Sequence, residues 1–99
     1  LREPYLDMAL LLYRRADWPG VLYFTAQALK IRQRPKSYIC EAAPWGALPH
    51  DLRAIAWHRL GSLSAALAEA EAALALAPTD ERLRGNVALL RAQQTDAQI

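Results

Sequence analysis

Apolar residues return along most of this chain every three or four positions, and the pattern breaks at glycines and prolines. That spacing predicts helices, because 3.6 residues per turn brings such positions onto one face. The clearest stretch runs from Leu60-Gly61 to Pro78-Thr79-Asp80, with Leu63, Leu67, Ala70, Leu74 and Ala77 as its stripe. Ala66 and Ala73 lie beside the stripe with no bulk beyond Cβ, so a neighbouring helix can approach closely there. Gly61 supplies the positive φ that ends the preceding helix, Ser62 or Ser64 can cap the new one, and Pro78 stops it. Thr79 or Asp80 then caps a further helix, with Glu81 placed well for its dipole.

The other elements follow by the same reasoning. Between Glu3 and Arg15, Tyr5, Met8, Ala9 and Leu12 keep helical spacing, and Leu6, Leu10 and Tyr13 widen the apolar arc. This predicts a helix buried on more than one side. Asp17-Trp18-Pro19-Gly20 breaks it, with Asp17 as N-cap and Pro19 in the next first turn. A second helix runs from about Pro19 to Ile31, its apolar face made of Leu22, Tyr23, Ala26, Ala28 and Leu29. Residues 33–46 carry Pro35, Pro44 and Gly46 together with Tyr38, Ile39, Cys40 and Trp45, and hold no helical period. They are too apolar for a solvated linker and predict an ordered connector pinned by its aromatics. A third helix starts near Ala47, tolerates Pro49 in its first turn, and carries Leu52, Ile55, Ala56, Trp57 and Leu60. The last, from Asp80 to about Gln94, has Leu83, Val87 and Leu90 as its stripe, and the tail beyond Thr95 frays. Gly85 weakens that helix by about 1 kcal/mol relative to alanine.

The expected fold is all-α, with five helices: hairpin one over 3–32, the connector 33–46, hairpin two over 47–77, and a terminal helix over 80–94. Setting Asp17-Trp18 against Ser62-Leu63 spaces the hairpins by about 45 residues, where a tetratricopeptide array has about 34, and the connector accounts for the excess.

Composition narrows the function. The chain has 99 residues, 54% of them hydrophobic, with a net charge of +2 and one cysteine. A chain of this length buries about 60–65% of its unfolded surface, so marginal stability or association is expected. It starts at Leu1 and not at methionine, which suggests a fragment. Arginines and acids interrupt every apolar run, so no membrane span and no secretory leader are expected. The lone Cys40 fits a reducing, cytoplasmic setting, and a charge of +2 is too small for nucleic acid as the main partner.

Ala54, Trp57, Gly61, Leu63, Ala66, Ala70, Ala73, Leu74, Leu76 and Pro78 fall in the register of a tetratricopeptide repeat, which residues 47–80 resemble. The first hairpin matches more loosely through Ala9, Leu12, Trp18, Ala28 and Leu29, with Val21 where a small residue is usual and Gln33 where proline is usual. A narrower block comprises Ser37-Tyr38-Ile39-Cys40-Glu41, Trp45 to Leu52, Ala54-Ile55-Ala56 and Arg59-Leu60-Gly61. It resembles the helical region after the catalytic domain of some bacterial family 2 glycosyltransferases, although His50 and Trp57 stand where tyrosines are expected. The resemblance implies a non-catalytic scaffold or protein-interaction module accessory to such an enzyme, whose partner is a protein or peptide, such as an adjacent catalytic domain. The Asp-x-Asp pair that holds metal and sugar diphosphate in that family occurs nowhere here. The alternative is a free-standing adaptor that binds a peptide or a second copy of itself through helix one or helix five.

The candidate chemistry is sparse. Cys40 with His50 or His58 lacks a third orienting group for nucleophilic catalysis, and the two histidines are not at metal-ligand spacing. No catalytic residue, cofactor or metal is expected. Asp51, Ile55 and His58 share a face of helix three, which in such a hairpin lines the concave groove. With Leu48, Arg59 and Trp45 they form the candidate partner-binding set, against the alternative of a solvated helix face. A clamp for a C-terminal carboxylate would lack its cations, since the corresponding residues are Leu6, Leu10, Asp51 and Ile55. Lys30, Arg32, Arg34 and Lys36 form a basic run that reads better as dipole compensation than as a phosphate site.

Overall fold

The computed structural model describes residues 1–32 and 46–97, and it is all-α. Its helices are α1 (Glu3–Arg14), α2 (Trp18–Lys30), α3 (Leu48–Arg59), α4 (Leu63–Leu76) and α5 (Glu81–Ala97). Each of the first three starts with proline in its first turn, where a missing N–H removes no helical bond. Asp17 caps α2 by accepting from the Gly20 N–H at 3.0 Å. Asp80 caps α5 by accepting from Arg82 and Leu83 at 2.9 and 3.2 Å. Ser62 occupies the N-cap position of α4, but its side chain makes no capping bond. Helix α5 continues to Ala97, past the end expected at Gln94. Apart from Gly46, the expected connector lies outside the described residues.

The helices pack in chain order, α1 on α2, α2 on α3, α3 on α4 and α4 on α5, which draws the molecule out to 49 × 29 × 20 Å. Leu6, Ala9, Val21, Ala28, Leu52 and Ala56 form one core cluster; Ala54, Ala66, Ala70, Val87 and Leu90 form the other. In α4 the buried positions are Ala66, Ala70 and Ala73, while Leu63 and Leu67 sit half-buried at the flanks. The alanines are therefore the seam itself, because only a methyl group fits where backbones come this close. Similarly, α2 buries Val21, Thr25 and Ala28, whereas Tyr23, expected on its apolar face, is 58% exposed. Helix α1 buries only Leu6 and Ala9, so the expected burial on more than one side does not occur. Tyr5, Met8, Leu11 and Tyr13 are partly covered, at 37–40% exposure.

A shift of 45 residues, from Ala16 to Gly61, lays one hairpin on the other. Buried Leu6, Ala9, Val21, Thr25 and Ala28 then meet buried Asp51, Ala54, Ala66, Ala70 and Ala73. The turns coincide bond for bond. Asp17 and Ala16 donate to Leu12 O and Tyr13 O at 2.9 and 3.0 Å; Ser62 and Gly61 donate to Trp57 O and His58 O at 2.9 and 3.1 Å. This pair of bonds is a Schellman helix end, which requires a left-handed residue. Gly61 meets the requirement at φ 89°, but the equivalent position holds Ala16 at φ 57°. An L-residue there costs about 1–2 kcal/mol, against about 0.5–1 kcal/mol of extra chain entropy for glycine. Ala16→Gly is expected to stabilise the fold by about 0.5–1 kcal/mol and Gly61→Ala to destabilise it by about 1 kcal/mol, both read as shifts of the urea midpoint.

Candidate functional site

Helix α3 lies between α1 and α5, and its outward face forms the floor of a cleft of about 420 Å³. Ala54 and Ile55 give that floor its apolar character, Tyr13 rises from the end of α1, and Asn86, Leu89 and Leu90 come from α5. Polar links to α5 hold both ends. At one end Asp51 is buried, and its carboxylate accepts from Arg82 Nη2 at 2.8 Å. The hydrogen bond and charge of Asp51 raise the already high pKa of Arg82. At the other end His58 Nε2 lies 3.1 Å from the Gln93 side-chain amide, within hydrogen-bond reach. Beside it the Arg59 guanidinium stacks 5.9 Å above the Trp18 ring, and Tyr13 meets the same ring edge-on at 5.7 Å. Such stacking is worth about 0.5–1 kcal/mol at an exposed site and fixes the direction of the charge.

Of the residues expected to meet a partner, Asp51, Ile55, His58 and Arg59 therefore line one cleft. Leu48 does not reach it. It packs on the first core cluster and lines a second cleft of about 400 Å³ with Asp51, Leu76 and Arg82. Trp45 and Cys40 lie outside the described residues. His50 and His58 are not brought together, since His50 Nδ1 sits 3.1 Å from Glu69 Oε1 on α4.

His50 belongs to a polar cluster that joins residues of three helices. Arg53 Nε donates to Glu69 Oε2 at 2.6 Å, and Arg53 Nη1 donates to Leu22 O at 2.8 Å and to Thr25 Oγ1 at 3.2 Å. Thr25 in turn donates to Val21 O at 2.7 Å. One guanidinium thus joins α2, α3 and α4. Burial pushes the Glu69 carboxyl upward, but hydrogen bonds from His50 and Arg53, with their charges, outweigh it and leave the group below its ordinary value. The signal available was an acid within an alanine-rich helix and a basic residue at i+3 from His50 on the facing one. A shallow cleft of about 440 Å³ beside this cluster is lined by Lys30 and Arg32, the start of the basic run. Tyr13, Asn86 and Leu89 enter the cleft over α3 only through tertiary packing.

The cleft over α3 offers apolar contact, a cation stacked on Trp18, and polar groups from Asn86, His58 and Asp51. Among the described residues no three His, Cys, Asp or Glu side chains are grouped to hold a metal, and no helix is long and apolar enough to cross a membrane. No protein-family model, curated protein or solved structure matches the chain.

Proposed function

We propose that the chain is a non-catalytic scaffold module of tetratricopeptide type whose cleft between α1, α3 and α5 takes an extended segment of a partner protein. The observation that carries this reading is the 45-residue shift at which the turn bonds of two helical hairpins coincide. At that shift buried Leu6, Ala9, Val21, Thr25 and Ala28 fall on buried positions, although Pro49, Leu52 and Ala56 are buried where Pro4, Asp7 and Leu11 are exposed. Stacked hairpins of this kind present the first helix of each pair on a shared concave surface, and the cleft's lining by α1, α3 and α5 is what that arrangement would produce. It offers Ile55 and Leu90 to an apolar side chain, while Arg59 and Asn86 offer hydrogen-bond donors to a backbone or an acidic group. The link to a family 2 glycosyltransferase rests on the block over residues 37–61. It predicts an enzyme of that class as the source of the bound segment.

A displayed library of random twelve-residue peptides, selected on the purified chain, tests the cleft. Enriched peptides are expected to lose binding at least tenfold on Ile55→Glu and on Arg59→Ala, each of which leaves the helical circular dichroism unchanged. Peptides indifferent to both substitutions, or no enrichment at all, would overturn the assignment.

A further inference from the structure

We infer that the chain self-associates head to tail, the outer face of α1 in one copy docking antiparallel on the outer face of α5 in the next. This surface is separate from the peptide cleft, with which it shares only Leu89.

Two uncovered faces lie at opposite ends of the helix array. On α1, Pro4, Met8, Leu11 and Arg15 follow one another at helical spacing, with Asp7 on one flank and Tyr5 on the other. Tyr5, Met8 and Leu11 are 37%, 40% and 39% exposed, which makes an apolar ridge. On α5, Glu81, Gly85, Ala88 and Ala92 follow one another in the same way, all exposed, with open space where a Gly85 Cβ would stand. Arg84 and Arg91 flank that row on one side and Leu89, 59% exposed, on the other. One face is a ridge and the other a trough, the shapes that let two helices approach closely.

Charge then selects the orientation. In an antiparallel pair with Met8 against Ala88, helical spacing sets Leu11 over Gly85, Pro4 over Ala92 and Arg15 beside Glu81. The same register brings Tyr5 to Leu89 and Asp7 to Arg91, which among the described residues is paired with Glu71 at 3.6 Å at an exposed site. A single like-charge pair, Arg14 with Arg84, falls at the solvent edge. A parallel pair sets Asp7 against Leu89 and Tyr5 against Arg84, so apolar groups meet charges. Two α1 helices paired about Met8 place their Asp7 carboxylates side by side and leave α5 uncovered. The head-to-tail contact is heterologous, so it builds an open series and not a closed dimer.

Sedimentation velocity of the chain, run from low to high micromolar concentration, tests this. The sedimentation coefficient is expected to climb without a dimer plateau. Met8→Glu and Ala88→Glu, both at exposed positions, are each expected to be monomeric, and their equimolar mixture to form dimers and nothing larger. Asp7→Arg or Arg91→Asp alone is expected to weaken association about fivefold, and the two together in one chain to restore it, whether or not the glutamate variants fold. A wild-type chain that stays monomeric at every concentration overturns the inference. So does an Ala88→Glu chain that still self-associates, because that is the mark of α1–α1 pairing.

Discussion

Exchanging Glu69 for alanine is expected to lower the stability of the fold by about 2–3 kcal/mol, measured by urea denaturation at neutral pH. Breaking a buried ion pair costs about 3–5 kcal/mol, and the figure here is lower because the Arg53 and Glu69 side chains are each 18% exposed. Most of the loss comes from leaving the Arg53 charge between α2 and α4 without its counter-ion, and His50 without its acceptor. Replacing both partners, Arg53→Met with Glu69→Leu, is therefore expected to recover most of the stability, since no charge is then left inside. The dependence on pH has a definite sign. The folded-state pKa of Glu69 lies below its ordinary value of 4.5, so the ionised carboxylate stabilises the fold fully above that value. As pH falls below 4.5 the unfolded chain takes up the proton first, and the contribution is lost by the time pH passes the folded value. Glu69→Gln is expected to show a shallower acid limb than the parent chain.

The second large effect is expected at Leu83. This side chain is 2% exposed and anchors the first turns of α5. Leu83→Ala is expected to cost about 2–5 kcal/mol, a large fraction of the 5–15 kcal/mol typical of a whole domain. Because α5 carries Arg82, Asn86, Leu89 and Gln93, loosening it removes one wall of the cleft over α3 without changing any residue that lines it. Hydrogen exchange is expected to show α5 amides losing protection while those of α1 and α2 keep theirs. Uniform loss along the chain would instead mean that α5 and the hairpins unfold as one unit.

Helix positions were legible from the sequence because caps, prolines and glycine are local signals. Asp17, Pro19, Gly61 and Asp80 act where local chemistry places them. Which side of each helix is buried was less legible. Leucines mark the α4 stripe by hydrophobicity, yet the seam goes to alanines because distance of approach, not transfer free energy, decides it. Ala16 shows the same limit from the other side. Nothing about alanine announces a positive φ, and only its alignment with Gly61 does so. At the candidate site, Asp51, Ile55, His58 and Arg59 share a cleft because helical spacing alone puts them on one face. The opposing wall was not legible, since Tyr13 and Leu89 reach α3 across gaps of many residues. Asp51 also reads differently in three dimensions: its carboxylate is held by Arg82, which leaves Arg59 as the cation directed at the cleft.

Helix arrays are commonly loose in one respect, because each unit touches only its neighbours and the two ends can open independently. Arg53 alters that here. Its guanidinium is bonded to α2 through Leu22 O and Thr25 and to α4 through Glu69, so parting the two hairpins would strip it of acceptors on one side. That joint is accordingly expected to resist parting, while α1 and α5, the end helices, each pack chiefly on one neighbour. Those are the helices that wall the cleft. The proposed partner segment would then enter by displacing an end helix while the joint between the hairpins stays shut.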